Sequence, residues 1–161
     1  MRCPTIALCV LFSISFLPPN LSAQTRQDAL RAMQALQTQC EGGINFDGYA
    51  AALDDAQIKL REFFDSKECD RNPDFADRIE RALIAYQSAF VLWQGKVDYK
   101  QDFVSADHPT MRMLLDVYPD AGSLFGRDGQ AQVRGLVTFL WDKGDARLNE
   151  AKRMISGKGR R

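Results

Sequence analysis

Residues 72–97, NPDFADRIERALIAYQSAFVLWQGKV, carry the pattern that sets the fold class. Phe75, Ile79, Leu83, Tyr86, Phe90, Trp93 and Val97 recur at steps of 4, 4, 3, 4, 3 and 4. Such steps return every residue to one side of a helix with ~3.6 residues per turn, and no strand produces them. Asn72 stands at the cap and Pro73 in the first turn, where the missing N–H costs nothing. The stripe is rich in aromatics, so this helix is expected to be the central one, with Phe90 in mid-core.

Working outward, Thr25 with Asp28 reads as a capping box that opens an earlier helix. Its stripe is Leu30, Met33, Leu36 and Cys40, and Gly42-Gly43 ends it. Asp47 is expected to cap a second helix, with Tyr49, Leu53, Ala56, Leu60 and Phe63 or Phe64 on its apolar face. Beyond Lys100 the periodicity weakens. Ser105–Pro109 marks a break, and a short helix burying Met111, Leu114 and Leu115 follows, then a turn at Tyr118–Gly122. A final long helix is predicted from near Asp128, using Val133, Leu136, Val137, Leu140, Trp141, Leu148 and Ile155. Gly144 lies inside it and implies a bend or a close helix crossing. Amphipathic helices with one apolar face each are satisfied by pointing those faces at a common axis. The predicted class is all-α: a small bundle of about four main helices plus a short connecting helix.

The N-terminal residues 1–23 read as a cleavable secretory signal peptide. Arg2 supplies the positive start, Ile6–Leu17 the apolar run and Leu21-Ser22-Ala23 a small-residue cleavage site. The run is too short to span ~30 Å of hydrocarbon, and Pro18-Pro19 stops it, so no transmembrane segment is expected in the mature chain. Cys9 does not read as a lipidation site, because Leu8 before it is bulky and cutting there would bisect the run. Residues 24–156 then form a single helical domain, and 157–161 a flexible basic tail. A periplasmic or secreted location follows. Cys3 and Cys9 leave with the leader, and Cys40 and Cys69 remain as an even pair in an oxidising compartment, where a disulfide is expected. The pairing sits awkwardly with the helices. A second helix over residues 47–64 would rise ~27 Å and carry Cys69 to the far end of a tight hairpin, so a tight hairpin and the bridge exclude each other.

Charge narrows the partners. The chain holds 21 basic and 21 acidic residues, which argues against nucleic acid. The distribution is uneven: residues 41–80 contain eleven acids and five bases, and residues 127–161 nine bases and four acids. Lys143, Arg147, Lys152 and Arg153 on the last helix, with Lys158, Arg160 and Arg161 in the tail, are the candidate partner-binding residues. Bases near a helix C-terminus also complement its dipole without further purpose.

Catalytic and cofactor motifs are sparse. His108 is the only histidine, which excludes a His-rich zinc site, and Asp107-His108-Pro109 reads as a helix start more readily than as a dyad. There is no Gly-x-Ser-x-Gly turn and no EF-hand loop. Asp54-Asp55 reads as solvated helix surface. The absence of Cys-x-x-Cys-His leaves only a b-type haem, with Met33 and His108 as its axial ligands. No catalytic, metal or cofactor residue is therefore assigned. The reading is a non-enzymatic exported protein that binds a protein partner in the envelope or outside the cell, of the inhibitor, immunity or envelope-accessory type. Its alternatives are a small-ligand or b-type haem carrier, with Tyr86, Phe90, Trp93 and Trp141 lining a core cavity, and an unrecognised hydrolase assembled from distant residues.

Overall fold

A computed structural model of the chain describes residues 25–157. The predicted signal peptide and the tail bases Lys158, Arg160 and Arg161 lie outside the described residues. Helix α1 spans Arg26–Glu41, and its capping box is formed: Asp28 N donates to Thr25 Oγ1 at 3.2 Å while Thr25 N donates to Asp28 Oδ2 at 3.1 Å. Leu30, Met33, Leu36 and Cys40 are buried. Gly43, at φ +82°, turns the chain where a side chain would be strained. Helix α2, Phe46–Phe64, is capped by Asn45, which accepts from Gly48 N at 2.8 Å, and not by Asp47 as expected. Asp47 sits in the first turn instead, where its charge favours the helix dipole. The short α3, Lys67–Asp70, precedes α4, Pro73–Tyr99. Asn72 holds the cap position without capping, for its Nδ2 donates to Glu68 O at 2.9 Å.

The connector is only partly helical. Strand β1, Phe103–Ser105, pairs antiparallel with β2, Gln130–Gln132, setting Val104 opposite Ala131. Between them lie α5, Pro109–Val117, and a 3-10 turn over Pro119–Leu124. Helix α6, Val133–Ser156, therefore starts later than the sequence suggests. The residues near Asp128 make a turn: Gly129 takes φ +71° and Asp128 Oδ1 accepts from Gln130 N at 3.1 Å. Three-residue strands are too short for alternation to register.

Antiparallel α4 and α6 form the spine, with Arg78 against Glu150, Tyr86 against Asp145 and Trp93 against Trp141. One cluster joins α1, α2 and α3-proximal α4 to the C-terminal half of α6, around Leu36, Tyr49, Phe63, Ile79 and Leu148. A second joins the rest of α4 and α6 to α5 and β2, around Leu92, Met111, Ala131 and Leu136. Trp93 and Trp141 pack against both. Helix α4 buries more than its predicted stripe: Ala76, Ala82, Ala85 and Ala89 are inside, whereas Phe90 is half-buried and Val97 exposed. Tyr86, fully enclosed, takes the central place expected of Phe90. Of the bend or close crossing expected at Gly144, the close crossing is present, since a Cβ there would lie 2.8 Å from Tyr86 Cε2.

The predicted disulfide is absent. Cys40 and Cys69 are both free thiols. Of the two mutually exclusive arrangements, the hairpin is the one formed: Arg26 Nε holds Glu68 Oε1 at 3.0 Å, fixing α3 beside the start of α1. Cys40 lies about 21 Å further along that helix at ~1.5 Å per residue, far beyond the ~7 Å Cα separation a bridge tolerates. Among the described residues no helix is long and apolar enough to cross a membrane.

Candidate functional site

Where the two clusters meet, a cavity of about 390 Å³ opens between α1, α4 and α6. The last turn of α1 contributes Cys40, and the loop after it Gly43 and Ile44. Helix α4 adds Trp93 and Lys96, one turn apart, and α6 adds Val133, Arg134, Val137, Thr138 and Trp141 from one face. Cys40, Val133 and Val137 are buried, while Gly43, Arg134 and Thr138 are exposed, so the apolar interior has its charge at the mouth. Lys96 Nζ is paired with Asp102 Oδ1 at 2.7 Å. Arg134 has no ion pair among the described residues.

A polar cluster lies behind the Cys40 and Trp141 walls. Tyr49 donates its hydroxyl proton to the backbone carbonyl of Tyr86 at 2.8 Å. The Tyr86 hydroxyl donates to the Asp145 carboxylate. Burial pushes both phenols up, and it holds the Cys40 thiol at about 12, with the negative charges of Asp145 and Glu41 adding to the effect. Cys40 therefore stays protonated at neutral pH and is not an activated nucleophile. Trp141 Nε1 is buried without a well-formed hydrogen bond, and its nearness to the Tyr49 hydroxyl opposes the effect of burial on that phenol only in part.

Burial also raises the Asp145 carboxyl above its usual range. Hydrogen bonds from Tyr86 and Gln37 oppose this in part, and Glu41 and Asp142 reinforce it. The folded chain thus holds that proton more tightly than the unfolded one. Ionising Asp145 costs stability, a cost absent below the unfolded-state pKa and complete above the folded one. Asp145→Asn keeps an acceptor for Tyr86 and removes the titration. Denaturant melts should show the variant gaining on the parent as the pH rises from about 4, the ordinary aspartate range, through the raised value of the folded chain. A difference independent of pH would mean the carboxyl is not shifted.

The residues singled out from sequence are scattered. Of the four aromatics expected to line a cavity, Trp93 and Trp141 do so, whereas Tyr86 is enclosed by the core and Phe90 stacks on Phe46 at 5.4 Å. Met33 is buried in the first cluster, while His108 is exposed at the start of α5, its Nδ1 accepting from Thr110 N at 3.3 Å, so the two are not brought together. Asp54 and Asp55 are exposed on α2, with Asp55 paired to Lys59. Lys143 pairs with Asp120 and lies over the Phe139 ring, and Arg147 pairs with Glu150 at 3.1 Å. Lys152 and Arg153 are exposed. Among the described residues no group of three His, Cys, Asp or Glu side chains is placed to hold a metal ion. Ile44, Lys96 and Arg134 escaped sequence reasoning, because each comes from a different element and none belongs to a motif. Comparison with protein-family models, with curated proteins and with solved structures finds no match to this chain.

Proposed function

We propose that the chain is exported, with residues 1–23 removed, and acts in the periplasm or outside the cell as a non-enzymatic binder of a protein partner. The observation that supports this is a set of exposed apolar side chains sharing one hollow between α4 and α5. Val91 is 52% exposed, Met113 72% and Val117 64%, and with Ile84 they line a groove of about 240 Å³. Single exposed hydrophobes are ordinary on a surface, but a contiguous set marks an interaction site. The groove continues past Val91 and Leu92 into a second hollow of about 200 Å³ edged by Tyr99 and Phe103. From Ile84 to Tyr99 the strip runs about 22 Å along α4, a length suited to the apolar face of a partner's amphipathic helix. Nearby charges are satisfied internally, Arg112 by Asp107 and Lys96 by Asp102, so apolar contact supplies the affinity. Lys152 and Arg153, together with the tail bases, add long-range steering toward an acidic partner.

A photo-crosslinking side chain at Met113 tests this against one at Ile58, which is 53% exposed on α2. In the exported fraction position 113 should give one discrete adduct and position 58 none. Val91→Glu, an exposed change expected to alter stability by no more than about 0.5 kcal/mol, should abolish that adduct. Equal adducts from both positions, or none from position 113, would overturn the reading.

A further inference from the structure

We infer that the cavity between α1, α4 and α6 is a binding site for a small amphipathic carboxylate, its apolar body against the wall formed by Trp93 and Trp141 and its anionic end on Arg134. This goes beyond the partner-binding reading and does not depend on the α4–α5 groove.

Three observations carry it. At about 390 Å³ the cavity lies within the range of small-ligand sites, toward its lower end, and admits a body of roughly a dozen heavy atoms. Its polarity is graded, from buried Cys40 and Val137 inside to exposed Arg134 and Thr138 at the mouth, which fits a molecule with one apolar and one charged end. The charge placement lacks an anion. Arg134 occupies the first turn of α6, where the helix dipole disfavours a cation, no acidic residue shares that turn, and Gln132 provides no side-chain cap. Lys96 lines the same cavity and adds positive charge, but Asp102 already neutralises it. A single uncompensated guanidinium selects a monoanion over a phosphate dianion, and its fork matches a carboxylate with two parallel hydrogen bonds. The protonated Cys40 thiol at the inner end presents no charge to the apolar body.

The chain has two tryptophans and both line this cavity, so intrinsic fluorescence reports occupancy directly. We would titrate the full mature protein with 4-phenylbutyrate, its neutral amide and 4-phenylbutylamine, exciting at the red edge of the indole band. A saturable change is expected with the acid, roughly tenfold weaker binding of the amide, and no binding of the amine. Arg134→Gln should bring acid and amide to equal affinity, while Arg147→Gln, whose parent side chain is engaged by Glu150, should preserve the preference. Val137→Phe should remove binding of both probes by filling the cavity, with helical circular dichroism retained; if that variant does not fold, Arg134→Gln carries the test. Equal affinity for acid and amide in the parent, a preference that survives Arg134→Gln, binding that survives a folded Val137→Phe, or no saturable response would each overturn the inference.

Discussion

Tyr86→Ala is expected to lower the free energy of unfolding by about 4–5 kcal/mol, the largest loss from any single truncation in the chain. The ring is fully buried in the spine between α4 and α6, so its removal leaves a cavity lined by close-packed neighbours that relax only in part. A second cost comes from Asp145, whose half-buried carboxylate loses the hydroxyl donor that satisfies it. Against a typical total of about 5–15 kcal/mol, the loss is a large share of what holds a domain of this size together. Tyr86→Phe separates the two costs, since it keeps the ring and deletes only the donor, and should lose about 1–3 kcal/mol. Urea melts of both variants check the ordering. A loss below about 2 kcal/mol for Tyr86→Ala would be too small for an enclosed aromatic ring and would move the centre of the core away from α4.

Gly144→Val is expected to cost about 3 kcal/mol for the opposite reason, overpacking at the same crossing. A Cβ at this position would stand 2.8 Å from Tyr86 Cε2, 3.0 Å from Cδ2 and 3.3 Å from Cζ. The ring has no room to retreat, being enclosed on all sides and tethered through its hydroxyl to Asp145. Only separation of α4 from α6 relieves the clash, and that loosens both hydrophobic clusters. Gly135 on the same helix is the control: a Cβ there would meet nothing within 4 Å. Gly135→Ala should be neutral or stabilise by up to about 1 kcal/mol through helix propensity alone. Combining Gly144→Val with Tyr86→Leu removes the struck ring edge, so the double variant should cost at least about 1 kcal/mol less than the sum of the two single changes. Simple additivity would show that the two positions do not meet.

The contact between Gly144 and Tyr86 also shows how far local pattern reaches. A glycine within a helical stripe signals close approach, and the aromatic spacing in residues 72–97 identifies a long buried helix, but neither says which ring meets which backbone. The four alanines that α4 turns inward are silent in a search for large apolar residues. They become core only because α6 packs close against them. The seam cavity was illegible for the same reason, since Lys96 and Arg134 stand far apart in the chain and neither sits in a motif.

Sequence alone determined the all-α class, the Thr25–Asp28 cap of α1, the α4 start at Pro73 and the buried stripes of α1 and α2, because each rests on contacts or periodicities within a few turns. Tertiary structure decided the fate of the cysteines, the β1–β2 ribbon, the late start of α6 and the meeting of Trp93 with Trp141. These depend on which surfaces pack together. The cysteine count anticipated a bridge, but the tight α1–α2 hairpin and the Arg26–Glu68 pair hold Cys69 at the end of α1 opposite Cys40, and helix length forbids their meeting.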